Sequence, residues 1–354
     1  MTGALHLLVP GRLDQRTGGY LYDARMVAGL RATGWRVDVH ELPGRFPDVD
    51  PATCQQAETR LARIPDGALC VIDGLAMPGV AGVLWAERMR LRIVHLIHHP
   101  LSRETGVDPA IVPAVENLER TAFAMARRII VTSPFTAATL AAEFGVAPDR
   151  IGTVVPGTDP RPAARGSGAA TPTLVCLGTL TQRKGHRILL DALATIADLP
   201  WRLVCAGSAD RDPATGAAVR ARIADLGLGE RVDLAGEVDA ATLEALYDRA
   251  DLFVLPSFYE GYGMAVAEAI ARGLPTVTTT GGALAVSVPE GAAVQVPPGD
   301  ADALAAALRP LLADPSAREA LAARALVAAS TLPTWDFQVA AFAAELAHAL
   351  EAGR

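Results

Sequence analysis

Short runs of apolar, often β-branched residues alternate along the chain with longer stretches in which apolar positions recur at helical spacing. The alternation occurs twice, and it is the pattern that a parallel sheet with crossover helices requires. In the first half it predicts strands at Ala4–Val9, Arg36–Glu41, Ala68–Asp73, Arg92–Ile97 and Arg128–Thr132, and helices at Tyr20–Ala32, Pro78–Arg88, Pro109–Ala126 and Pro134–Phe144. The stretch Pro156–Pro172 has no apolar period and is rich in Gly, Pro, Ala and Ser, so it is expected to be a linker. Strands are then expected at Thr173–Leu177, Arg202–Ala206, Arg231–Ala235, Leu252–Leu255 and Thr276–Thr279. The helices expected between them are His186–Ile196, Thr215–Leu226, Ala240–Arg249 and Met264–Arg272. From Asp302 through Ala349 the pattern reads as three helices broken at Pro315 and Pro333.

Length agrees with two cores, because 354 residues exceed the single core of about 150 that an ordinary domain builds. Although 51% of residues are apolar, no uninterrupted run approaches the roughly 18 to 20 residues of a membrane span. The start of the chain runs into strand-like LHLLVP without a basic segment before it. A soluble, cytoplasmic protein without stable membrane insertion is therefore expected. The net charge of −7 and the lack of a basic tail argue against a nucleic-acid partner. An arginine-bearing stretch, Trp85 to Arg92, reads as the end of a solvated amphipathic helix. Cys54, Cys70, Cys176 and Cys205 show no C-x-x-C pair or metal spacing and read as reduced core thiols.

Three segments carry candidate chemistry. After the first strand, Gly11 to Gly19 ends in Thr17-Gly18-Gly19 before a helix, where paired glycines let backbone approach a diphosphate and helix amides face it. A structural turn explains such a pair equally well, and G-x-G-x-x-G is not present. Gly178-Thr-Leu-Thr-Gln-Arg183-Lys184-Gly185 leaves the first strand of the second half and enters a helix, the position at which open α/β sheets bind ligands. Every other basic position is arginine or histidine, and the chain's single lysine stands here, where a compact mobile charge suits a phosphate oxygen. The third segment runs from Pro256 through Glu260-Gly261-Tyr262-Gly263-Met264-Ala265 and Glu268 to Pro275. Glu260 sits on a glycine-rich loop, and the first amides of the ensuing helix near Met264 and Ala265 can hold a diphosphate. Glu268, within the helix on an alanine-rich stripe, is costly to bury unless it accepts hydrogen bonds, and ribose hydroxyls are suitable donors.

This third segment resembles the E-x7-E motif of retaining family 4 glycosyltransferases, E-x-F/Y-G-x-x-x-x-E-A-x-A-x-G-x-P. Other stretches resemble the family's motifs in the same order: Gly18-Gly19, Val155-Pro-Gly-Thr-Asp159, Gly178 to Gly185, Gly281-Gly282 and Val296-Pro-Pro-Gly-Asp300. The resemblance covers nearly the whole chain. It implies an α/β GT-B fold, with two Rossmann-like domains whose parallel sheets face across a cleft. Residues 1–160 would bind the acceptor, 172–332 the nucleotide-sugar donor, and 333–354 would return as a helix to the first domain.

The resemblance further implies that Lys184 neutralises the donor phosphates, that Glu268 binds the ribose and that Glu260 contacts the transferred sugar near the reaction centre. His98, in Ile97-His98-His99-Pro100, resembles the histidine that the N-terminal domain adds to the sugar pocket. Glu260, His98 and Lys184 are thus the expected catalytic residues. Gly18, Gly19, Arg183, Lys184, Met264 and Ala265 are expected at the diphosphate, and Glu260, Gly261, Tyr262, Gly263 and Glu268 at the sugar and ribose. Thr179 stands where the family has an arginine, whose charge Arg183 can replace, and Gly281-Gly-Ala-Leu-Ala285 lacks the acid often found there.

The implied reaction is retaining, front-face transfer of a hexose-type sugar from a nucleotide-diphosphate sugar, commonly a UDP-sugar, without a metal or other cofactor. The acceptor would be a small molecule, a glycan or a lipid-linked compound, read by loops around Arg12 to Tyr22, Leu75 to Val80 and His98 to Val107. Rival readings are a sugar-nucleotide epimerase, a sugar phosphorylase and a non-catalytic sugar-nucleotide binding protein. A nicotinamide-dependent dehydrogenase would share the alternation but lacks the glycine fingerprint.

Overall fold

The computed structural model describes residues 3–44, 46, 49–106 and 108–351. Of the segments discussed above, Met1, Thr2, Val107 and 352–354 lie outside the described residues. The chain divides into two units, one of Met1–Gly157 with Pro333–Arg354 and one of Thr158–Leu332.

The first unit contains strands β1 (Ala4–Pro10), β2 (Arg36–Leu42), β3 (Leu69–Asp73), β4 (Arg92–Ile97), β5 (Arg128–Val131) and β6 (Ile151–Thr153), paired in parallel in the order β2-β1-β3-β4-β5-β6. Between them run α1 (Gly18–Ala32), α2 (Pro51–Ala62), α3 (Ala81–Glu87), α4 (Val112–Met125) and α5 (Pro134–Phe144). A sheet covered by helices on both faces needs continuous apolar strands and not alternating ones, and all five residues of β3 are buried.

In the second unit the strands are β7 (Thr173–Leu177), β8 (Arg202–Ala206), β9 (Val232–Gly236), β10 (Leu252–Leu255), β11 (Thr276–Thr279) and β12 (Val294–Val296), in the order β12-β11-β10-β7-β8-β9. The helices are α6 (His186–Thr195), α7 (Pro213–Asp225), α8 (Ala240–Arg249), α9 (Met264–Ala271), α10 (Leu284–Ser287), α11 (Ala301–Ala313) and α12 (Pro315–Ala329). This is a doubly wound sheet whose order reverses between β7 and β10, the switch point at whose carboxyl ends such sheets bind ligands. Threonine serves the buried strand β11 because its hydroxyls find backbone carbonyls: Thr278 donates to Leu255 O at 2.8 Å and Thr279 to Ser257 O at 2.5 Å.

The last helix, α13 (Trp335–Glu351), packs on α1 of the first unit. Glycines make the seat. A Cβ on Gly29 would overlap Val339, one on Gly152 would overlap Glu345, and one on Gly157 would overlap the backbone at Trp335. The rings of Trp335 and Phe342 meet Tyr22 at a tilt and edge-on respectively, and Arg128 pairs with Glu345.

The expected linker is instead fastened to the second unit from Thr158 on. Ala164 N donates to Arg272 O at 2.9 Å, Arg165 N to Asp248 O at 2.9 Å, and the Asp251 carboxylate accepts from the amides of Ser167 and Thr173. A polar, proline-rich composition signals only that a segment lacks a regular element, and these bonds come from residues far along the chain. The expected helix at 78–88 resolves into a short 3-10 turn, Pro78–Val80, followed by α3.

Candidate functional site

In the second unit the β7 and β10 loops are stitched together by backbone. Phe258 N donates to Arg183 O at 2.7 Å, and a Cβ on Gly185, whose φ is +70°, would overlap the Pro256 carbonyl oxygen. Only glycine allows this approach together with a left-handed backbone. The consequence is that Lys184 and Glu260, remote in sequence, meet: Nζ lies 2.6 Å from Oε1. Arg183 Nη1 lies 3.1 Å from the other oxygen, Oε2, and donates to Tyr259 O at 2.8 Å, while Ser257 Oγ donates to Oε1 at 2.6 Å.

Glu260 is only 6% exposed. Burial disfavours its charge, but Lys184 and then Arg183 outweigh that cost, and its carboxyl is held at about 2. Burial also lowers Lys184 from the usual lysine value, with Glu260 opposing. The lysine stem packs on Gly178, where a Cβ would stand 3.2 Å from its Cδ. The second glycine pair clamps the same loop from the β11 side. Glu260 N donates to Gly281 O at 3.3 Å, Ala283 N donates to Glu260 O at 2.8 Å, and Gly282 has a φ of +61°.

Beyond Glu260 the loop turns through Gly261, the buried Tyr262 and Gly263, whose φ of +98° makes it the N-cap of α9. Among the described residues no side chain caps this helix, so its first amides, including those of Met264 and Ala265, are offered at the same carboxyl end of the sheet. On α9, Glu268 accepts a hydrogen bond from Tyr247 Oη at 2.7 Å, and burial raises its carboxyl above the ordinary value. Arg272 supports this pair by donating to Glu268 O at 3.0 Å with its guanidinium 4.2 Å above the Tyr247 ring.

Thus Arg183, Lys184, Glu260, Gly261, Tyr262, Gly263, Met264, Ala265 and Glu268 belong to one unit, and within it Arg183, Lys184 and Glu260 are in direct contact. Gly18, Gly19 and His98 belong to the first unit. There Gly18 and Gly19 open α1, and a Cβ on Gly19 would stand 3.1 Å from the His98 ring. His98 Nε2 lies 3.2 Å from Asp23 Oδ1 and 3.4 Å from Asp73 Oδ2, with Tyr22 edge-on at 5.5 Å. Burial opposes the imidazolium, but hydrogen bonds and charge from the two aspartates prevail and raise His98 to about 10. Burial pushes Asp23 up to about 7 against the pull of His98. His99 turns elsewhere, toward Glu104 at 3.0 Å.

Asp23, Asp73, Tyr247 and Ser257 were not anticipated. Asp23 had a signal: it occupies the buried face of α1 with Tyr20, Met26, Val27 and Leu30, where a carboxylate needs a partner. Tyr247 had none, since an aromatic at that place in α8 reads as core.

The His98 cluster sets a pH dependence. The folded value of about 10 lies above the reference 6.5, so the stability it confers is complete below 6.5 and lost as pH rises toward 10. Wild type should therefore exceed His98→Gln in melting temperature by several degrees at pH 6 and by much less near pH 10. A difference that is constant across that range would contradict the assignment.

Residues 171–314 match the family described as glycosyl transferases group 1, and residues 68–161 match glycosyltransferase family 4. D-inositol 3-phosphate glycosyltransferase 1 of Catenulispora acidiphila is 33% identical over 406 residues, covering 98% of this chain and 94% of that protein. The chain is a family 4 glycosyltransferase. Its fold is similar to that of sucrose-phosphate synthase from Thermosynechococcus elongatus, with a TM-score of 0.81 at 22% identity over 98% of both chains. It is also similar to Anabaena HepE in complex with UDP-glucose, with a TM-score of 0.78 at 18% identity over 98% of this chain and 99% of that one. The glycosyltransferase thus has the α/β GT-B fold. No described helix of this glycosyltransferase is long and apolar enough to cross a membrane.

Proposed function

We propose that the chain transfers a hexose-type sugar, with retention at the anomeric carbon, from a nucleotide-diphosphate sugar held mainly by the second unit. The observation that carries this reading is the Lys184–Glu260–Arg183 cluster beside the uncapped start of α9. Breaking the bond from sugar to phosphate builds negative charge on the diphosphate. Fixed cations and helix amides already aimed at that charge lower the barrier without reorganising.

In this reading Lys184 and Arg183 share their charge between Glu260 and the diphosphate, and Met264 and Ala265 donate amides to it. Glu260 holds both cations in place and borders the transferred sugar with Gly261, Tyr262 and Gly263. Glu268, whose partner is the Tyr247 hydroxyl, accepts from the ribose. The acceptor attacks from the face the diphosphate leaves, and a leaving-group oxygen takes its proton. Since two cations and a helix start supply the charge, the reaction is assigned no divalent metal and no resident cofactor.

The donor is proposed to be a UDP-sugar, following the ligand in the Anabaena structure, and the acceptors to test first include inositol 3-phosphate, named in the Catenulispora relative. A thermal-shift panel of UDP-, GDP- and ADP-sugars tests donor binding, with an expected rise of several degrees for one base at saturating ligand. Addition of Mg2+ or Mn2+ to dialysed protein should then change transfer by less than about twofold, unlike a metal-assisted reaction. No shift with any nucleotide sugar would overturn the proposal. Epimerised donor formed without an acceptor, or dependence on inorganic phosphate, would replace it with an epimerase or a phosphorylase, and binding without conversion would leave a binding protein.

A further inference from the structure

Behind the β7 loop lies a second cluster that sugar transfer does not use. Cys176 on β7 and Cys205 on β8 are direct register partners in adjacent parallel strands, and His186 is the first residue of α6. All three are buried, at 0%, 1% and 3% exposure. Their two Sγ atoms and an imidazole nitrogen lie within 4.8 Å of one another. Among the described residues neither ring nitrogen of His186 has a hydrogen-bond partner of full geometry, and Cys176 is the polar group beside the ring. Burying an imidazole with both nitrogens unpartnered is costly, and nearly all buried polar side chains avoid it.

We propose that Cys176, Cys205 and His186 form a buried site for a thiophilic divalent cation of the zinc type. Sulfur and imidazole nitrogen are the donors such an ion prefers, at about 2.3 Å and about 2.0 Å respectively, so ligands sharing it stand roughly 3.5 to 4 Å apart. The observed donor atoms, all within 4.8 Å of one another, already approach that spacing. Charge favours a divalent ion: on binding, the two thiols release their protons to water, and two thiolates with a neutral imidazole cancel the ion's charge. The assembled cluster would bury no net charge, and one nitrogen of His186 would gain a partner. The site is assembled from two neighbouring strands and a helix start, which is why no local spacing in the sequence announces it. Bound there, the ion would tie the first residue of α6 to β7 and β8, directly behind Gly178 to Gly185. The proposal does not depend on the transferase reading.

The test uses full-length reduced protein, stripped with a chelator, dialysed and titrated with Zn2+ alone by calorimetry, with Co2+ as the spectroscopic probe. Wild type and Cys54→Ala should each take up one equivalent of Zn2+, show a thiolate-to-cobalt charge-transfer band and melt several degrees higher with the ion. Cys205→Ala and His186→Gln should weaken binding by at least about a hundredfold. Absence of the charge-transfer band in wild type would overturn the proposal even if the variants failed to fold. So would undiminished uptake by folded Cys205→Ala and His186→Gln.

Discussion

Lys184→Ala is expected to lower the turnover number for sugar transfer by about a hundred- to a thousandfold, the scale seen when a preorganised group at a transition state is removed. The fold should survive. The lysine stem lies against Gly178 and not in the apolar core, and Glu260 keeps Arg183 and Ser257 as partners. Lys184→Arg should restore little, because a rigid planar guanidinium cannot set its charge where the compact ammonium lies, 2.6 Å from Glu260 Oε1 and beside Arg183. Initial rates on protein with an unchanged circular dichroism spectrum decide it. Turnover within a few-fold of wild type would remove Lys184 from the machinery.

Gly185→Ala is expected to have the largest effect on stability of any single methyl added at the site. The new Cβ would overlap Pro256 O at a position whose φ is +70°, so either the left-handed backbone or the pairing of Phe258 N with Arg183 O must give way. A strained non-glycine residue costs about 1 to 3 kcal/mol before the overlap is counted. A second unit melting several degrees lower, with donor binding weakened in parallel, is the expected result. Gly227→Ala serves as the control: it also has a positive φ, of +66°, but nothing stands within 4 Å of the added methyl. Equal losses in the two variants would show that backbone conformation alone matters and that the two loops are not held by close approach.

Much of the architecture was legible because buried parallel strands announce themselves locally. Leu252–Leu255 and Thr276–Thr279 are found at the expected bounds, and so are Pro134–Phe144 and Ala240–Arg249. Elements with little apolar signal escaped. Helix α2 buries only Thr53, Ala57 and Leu61, and its start rests on Asp50 accepting from Thr53 N and on Pro51 at the first position. The strands β6 and β12 have three residues each, too short for any period.

For the site, residue types and glycine spacing pointed to Lys184, Glu260 and Glu268. Their contacts could not be read, because each depends on a partner distant in sequence. That Glu260 would be enclosed by Lys184, Arg183 and Ser257 follows from the crossing of two loops at Gly185 and Pro256, a meeting that no local pattern encodes. The partnership of Glu268 with Tyr247 likewise depends on how α8 and α9 pack. His98 stood out only as a histidine after a strand, while its two aspartates come from α1 and from the end of β3.

The central claim is that Lys184, with Arg183 and the tip of α9, grips a diphosphate. Calorimetric affinities of wild type and Lys184→Ala for the nucleoside diphosphate and for the bare nucleoside test it most directly. The prediction is that wild type binds the diphosphate far more tightly, that Lys184→Ala removes most of this advantage, and that nucleoside affinity is unchanged. An undiminished preference for the diphosphate in Lys184→Ala would contradict the claim.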